Sequence, residues 1–210
     1  MKGFSFIKNI SEIFSHPVSL IALIGVIILI FVLLHTRKVK LDTKTIAYIG
    51  VALALSTILS LIKLYQFPQG GSVTLGAMVP ILLMAFLYGP EVGFLTGFLY
   101  GIITLIIEPY ILHPVQVLFD YPLPFMALGI AGYFKDKKLL GTIIAIFLRF
   151  VCHVISGVVF FAQYAPKGMS PLIYSIGYNG SYLGIDAIIC IAIISVLPLK
   201  RIYYIINKKS

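Results

Sequence analysis

Apolar positions in this chain run in long unbroken blocks instead of alternating or marking one helical face. Seven such blocks can be drawn, at approximately 18–35, 43–63, 73–89, 91–108, 115–134, 139–163 and 172–198. Each approaches the ~20 residues an α-helix needs to cross a bilayer, so the pattern predicts an all-α integral membrane protein. The first block, "VSLIALIGVIILIFVLL", is longer than a signal-peptide core, has no small-residue cleavage site and ends on the basic "HTRKVK", so a retained helix is expected. Only "YGPE" joins the third and fourth blocks, which predicts a tight helical hairpin turned at Gly89-Pro90.

Composition sharpens this picture. Of 210 residues, 60% are hydrophobic and 11% are charged, against about 25% charged in soluble domains. Every polar gap is short, leaving no room for a soluble catalytic or ATP-binding domain. The net charge of +9 sits beside the apolar blocks, which is the pattern of topology determinants and argues against a nucleic-acid partner. Arg37, Lys38, Lys40, Lys44, Lys135, Lys137, Lys138, Lys200, Arg201, Lys208 and Lys209 fall on one side, and only Lys63 and Lys167 on the other. The first side, with the C-terminus, is therefore expected to be cytoplasmic. Residues 1–17, carrying Lys2 and Lys8, then face outward against the rule. Cys152 and Cys190 lie inside apolar blocks and read as small core residues, not a disulfide.

Ionisable groups inside membrane helices are functional candidates. Asp120, His153 and Asn179 stand on three different helices at one depth, on the order of 10–15 Å below the outer surface. Two readings stand: a ligand pocket open to the outside, or an interhelical hydrogen-bond clamp. Tyr110, Tyr121, Phe161, Tyr164, Tyr174 and Tyr178 lie near the same level. A carboxylate among aromatic faces suits a flat cation; an interfacial aromatic belt is the alternative, applied here to Tyr164 and Tyr182. Arg149 and Asp186 lie deeper, which predicts a structural ion pair of Arg149 with Asp186 or Asp120. "GFLTGFLYG" repeats Gly93, Gly97 and Gly101 every four residues, a groove for close helix packing. "AYIGVALALS" offers a second small-residue stripe, Gly50 and Ala54, able to dock a partner helix or a helix of the same bundle. There is no Walker loop, no HExxH, no GxSxG and no metal-spaced His/Cys cluster, so neither an enzyme nor a metal site is expected.

The strings "FPQGGSVTLGAMVPILLMAFLYGPEVGFLTGFLYG", "EPYILHPVQVLFDYPLPFMALGIAGYF" and "HVISGVVFFAQYAPKG…YSIGYNGSYL" resemble the thiamine-specific substrate-binding (S) component of energy-coupling factor transporters. The resemblance spans roughly residues 42–205 and implies a six-helix S-component bundle that captures thiamine outside, with a membrane T component and two ATPase subunits as partners. It implies further that Asp120, Tyr121, His153, Gly157, Tyr174, Asn179 and Tyr110 surround the aminopyrimidine and the cationic thiazolium, with Phe161 in a stacking position and Arg149 at a basic one. Relatives stack tryptophans on the ligand; this chain has none, and Phe161 and Gly71 take those places. That departure bears on affinity and on the choice between thiamine and phosphorylated or precursor forms. Another vitamin, a pyrimidine precursor or a purely structural membrane role are the alternatives.

The expected organisation is an N-terminal extension with its own helix at 1–36, the six-helix core at 42–205 and a basic cytoplasmic tail at 206–210. The expected location is a bacterial plasma membrane. No cofactor is implied beyond thiamine as cargo and ATP at the partner subunits.

Overall fold

The computed structural model describes residues 17–36 and 41–207. Lys2, Lys8, Arg37, Lys38, Lys40, Lys208 and Lys209 of the charge count, residues 1–16 of the extension and most of the 206–210 tail lie outside the described residues.

Helices α1 (Pro17–Thr36) and α2 (Thr43–Leu61) are followed by a β-hairpin, β1 (Lys63–Gln66) and β2 (Ser72–Thr74). Then come α3 (Val79–Tyr88), α4 (Pro90–Ile107), α5 (Pro114–Asp120), α6 (Pro122–Ala127) and a 3₁₀ turn (Leu128–Phe134). Helix α7 (Lys138–Phe160), a short 3₁₀ turn (Ala162–Tyr164), α8 (Pro171–Val196) and α9 (Leu199–Asn207) complete the chain. Five stretches among the described residues are long and apolar enough to cross a membrane: 43–61, 90–107, 114–134, 138–160 and 171–196.

Local chemistry sets the element ends. Prolines occupy the first turns of α3, α4, α5, α6 and α8, where the missing amide hydrogen has no intrahelical partner to lose. Asp42 and Ser170 cap α2 and α8 by accepting from the amides of Thr45 and Ile173. Hydrogen bonds from Thr45 also hold the Asp42 carboxyl below its ordinary value. Gly89 turns α3 into α4 at φ 101°, a conformation that strongly favours glycine.

One predicted span is corrected by this geometry and a second is refined. The third was drawn at 73–89, but helix begins only at Val79 and lasts 10 residues, about 15 Å. Residues 72–74 pair with β1 instead, and Gly76 leaves the strand at φ 80°. The fifth, drawn over 115–134, holds as one apolar stretch but is distorted beside Asp120, as its prolines predict: the helix is interrupted at Tyr121 (φ −118°, ψ −79°), because Pro122 cannot return a hydrogen bond to Leu118.

A glycine seam joins α4 to this broken element. A Cβ on Gly93 would meet Gly129 Cα at 2.8 Å, one on Gly97 the Phe125 carbonyl carbon at 2.6 Å, and one on Gly101 the Tyr121 oxygen at 2.6 Å. The seam brings two backbones into contact, as small-residue repeats permit. The apolar core lies below the hairpin, around Met78, Ile81, Leu82, Phe125, Leu128, Leu183 and Ile194. At the far end, Lys44 donates to the Ile206 carbonyl, and Lys138 donates to those of Ser195 and Leu197 at 2.8 Å each. The basic connections and α9 thus gather at the end opposite the hairpin.

Candidate functional site

At the hairpin end the bundle encloses a cavity of about 380 Å³, inside the range typical of small-molecule sites, about 300–1,000 Å³. Its walls come from α2, the hairpin, α4, α5, α6, α7 and α8. Asp120, Tyr121, His153, Gly157, Phe161, Tyr174, Asn179 and Tyr110 all line it, and so do Arg149 and Asp186.

Asp120 is the last residue of α5 and is held by its neighbours. Its Oδ2 accepts from Gln116 Nε2, and its Oδ1 lies 3.4 Å from His153 Nδ1. Gln116 is 1% exposed; it also donates to the Tyr110 carbonyl at 3.0 Å and accepts from the Leu112 amide at 3.0 Å. That one amide fixes both the carboxylate and the 110–112 loop. Tyr121 works beside it, accepting from the Tyr110 amide at 2.7 Å and donating to the Glu108 carbonyl at 2.9 Å. Two cavity-lining residues carry buried nitrogens without hydrogen-bond partners, His153 at Nε2 and Arg149 at Nε.

The deep ion pair expected of Arg149 does not form. Its guanidinium lies 4.1 Å from the Phe125 ring centroid, a cation–π contact, and among the described residues no carboxylate comes within salt-bridge distance of it. Asp186 instead accepts from Thr74, from the amide at 3.1 Å and the hydroxyl at 2.9 Å, pinning β2 to α8. Sequence depth placed Arg149 and Asp186 at compatible levels, but the hairpin supplies donors nearer the carboxylate.

Asn179 serves as a clamp in this structure. Its amide donates to the Ser175 carbonyl at 2.9 Å, to Ser175 Oγ at 3.1 Å and across to the His153 carbonyl at 3.3 Å. Its carbonyl accepts from the Tyr182 hydroxyl at 3.0 Å. Gly157 makes this crossing possible, since a Cβ there would collide with Ser175 Oγ. Tyr182, assigned above to an interfacial belt, is 5% exposed and lines the cavity. Residues 174, 178, 182 and 186 recur every four positions, so one helix face carries three tyrosines and an acid inward.

Aromatic rings form the rim. Phe161 stacks on Tyr110 at 5.8 Å and 23°, and Tyr110 reaches Tyr164 through their hydroxyls at 3.3 Å. That hydrogen bond raises the Tyr110 phenol above its ordinary value. The hairpin loop closes the opposite side. The Tyr178 hydroxyl accepts from the Gln69 amide at 2.8 Å and donates to the Gly70 carbonyl at 2.9 Å, while Gly71, at φ 84°, presses on the Tyr182 ring. Tyr178→Phe removes both bonds and keeps the ring. At about 1 kcal/mol net per bond, the loop is expected to open roughly tenfold or more in excess of wild type. Amide hydrogen exchange at Gln69 checks this; an unchanged rate would show that ring packing alone holds the loop.

A helical bundle set in a membrane, with a half-buried carboxylate and an aromatic rim around an open-ended cavity, defines a small-molecule transport or binding protein. Comparison with known proteins gives the family: residues 46–206 match the model described as Thiamine transporter protein (Thia_YuaJ), and the chain belongs to that family, one of transporters and not of enzymes. It is 38% identical over 168 residues to the thiamine transporter ThiT of Bacillus subtilis (strain 168), covering 71% of this chain and 87% of that one. With ThiT of Lacticaseibacillus paracasei it shares 29% over 140 residues, 57% of this chain and 70% of that one. The solved structure of ThiT from Listeria monocytogenes superposes with a TM-score of 0.67 at 25% identity, covering 75% of this chain and 93% of the other. The protein is thus a largely helical, multi-pass membrane protein of the S-component fold, with one helix added at its N-terminus and a small β-hairpin over the cavity.

Proposed function

We propose that this chain is the thiamine-binding S component of an energy-coupling factor transporter, with Asp120 as the counter-ion of the thiazolium. The observation that carries this reading is Asp120 itself: a carboxylate among aromatic rings at the rim of a 380 Å³ cavity, bound by an amide and an imidazole and by no lysine or arginine among the described residues. A permanent cation supplies the missing opposite charge. Tyr110, Tyr121, Phe161 and Tyr174 offer ring faces, His153 offers its unpartnered nitrogen, and Gly157 and Asn179 shape the wall between α7 and α8. Arg149 and Asp186 act as structural supports at the cavity floor.

The domain reading is an N-terminal extension at 1–36, a binding core at 42–205 and a basic tail at 206–210. Gathering of the basic connections opposite the cavity supports a plasma-membrane orientation with the site outside and the C-terminus in the cytoplasm. Uptake then depends on a T component and two ATPase subunits, with Gly50 and Ala54 on the exposed face of α2 as the docking stripe.

One observation favours a rival. Asn179 is saturated by bonds within the protein, as in a purely structural clamp. Calorimetry on detergent-purified protein decides between them: saturable thiamine binding is expected, weakened about tenfold by Asn179→Ala, the scale of one hydrogen bond lost beside a buried partner. A folded protein that takes up no thiamine would leave the structural role. Competition by other vitamins and by pyrimidine precursors tests the remaining alternatives, and copurification of the ATPase subunits tests the complex.

A further inference from the structure

We infer that α1 is a positioning element for the ligand's counter-ion, acting through Phe119 on Asp120; this rests on the reading of Asp120 given above. Helix α1 precedes the 46–206 region that matches the family, so nothing in that match accounts for it. It packs against two helices, α4 and α5. Leu20, Ala22, Gly25, Leu29 and Val32 turn inward at helical spacing, whereas Ile27, Ile30 and Leu34 are half exposed or more. Gly25 is the residue at which the two helices meet. A Cβ there would lie 2.8 Å from Phe119 Cε2, 3.0 Å from Phe119 Cζ and 2.9 Å from Leu118 Cδ2. The Phe119 ring therefore lies against the backbone of α1, in space that only glycine leaves open.

Phe119 immediately precedes Asp120, and α5 has only 7 residues. A helix that short has little stability of its own, and its placement comes from packing. Its break from α6 at Tyr121 removes support from below. Toward the cavity Asp120 is held by Gln116 and His153; on the outer side Phe119, 4% exposed, is held by α1. Residues 119 and 120 project about 100° apart on a helix, so a push on the Phe119 ring rotates the carboxylate relative to the cavity.

The test uses the full chain in detergent and two ligands: thiamine, and the isostere whose thiazolium nitrogen is replaced by carbon and which carries no charge. Gly25→Leu is expected to weaken thiamine by about tenfold, the scale of a partly lost charge contact, and to leave the isostere unchanged. Adding Phe119→Leu, which removes the two ring atoms nearest Gly25, is expected to restore thiamine affinity. If Gly25→Leu binds thiamine as wild type does, or if both ligands weaken alike, α1 does not position the acid and the inference fails while the thiamine reading stands. If wild type binds no thiamine, that reading fails and takes the inference with it.

Discussion

Asp120→Asn is expected to weaken thiamine binding by about 100-fold while leaving the protein folded. Two unit charges 4 Å apart attract by about 4 kcal/mol at an effective dielectric of ~20. Asp120 keeps 17% of its side chain exposed, and the cation gives up water to reach it. About 2–3 kcal/mol should survive, equivalent to roughly 30–150-fold in affinity. Asparagine keeps an oxygen for the Gln116 amide, so the loop network remains and thermal unfolding should shift little. Calorimetric titration reads the affinity directly. An Asp120→Asn protein with wild-type affinity would remove the ion-pair account of the site, and Asp120→Glu, which retains the charge, should keep most of the binding.

The second large effect concerns the bundle itself. Gly97→Val places a branched side chain where the Phe125 carbonyl carbon stands 2.6 Å and the Met126 amide nitrogen 2.9 Å from a Cβ. Both are backbone atoms, so no side-chain rotation relieves the overlap and α4 must separate from α6. Overpacking of this kind costs about 3 kcal/mol or more, enough to abolish a recoverable fold in detergent. Gly50→Val is the matched control: it lies on a helix of similar length with nothing within 4 Å of its Cβ. Its unfolding temperature should match wild type. Similar losses at both positions would show that valine itself, and not the seam, is responsible.

The helices were legible because membrane burial writes itself as continuous hydropathy. The glycine seam was legible too, since a four-residue repeat of glycine has few uses other than close packing. The hairpin was not, because "LYQFPQGGSVT" mixes apolar and polar residues around a proline and two glycines, which an extended connection would show equally well. Within the site, helical depth brought the candidate residues to one end of the bundle, where they surround a single cavity. Depth says nothing about direction around each helix, and so it mispaired Arg149 and set Tyr182 at the interface instead of in the cavity wall. Gln116 was missed although its signal stood four residues before Asp120: an amide in an apolar turn, at the spacing that meets a carboxylate.

The interruption at Tyr121 divides the molecule mechanically. Below it, glycine contacts lock backbone to backbone; above it, one short turn carries the acid on a joint that proline keeps from stiffening. The carboxylate therefore stands on a short segment of its own, joined to the stem of the bundle at the break before Pro122.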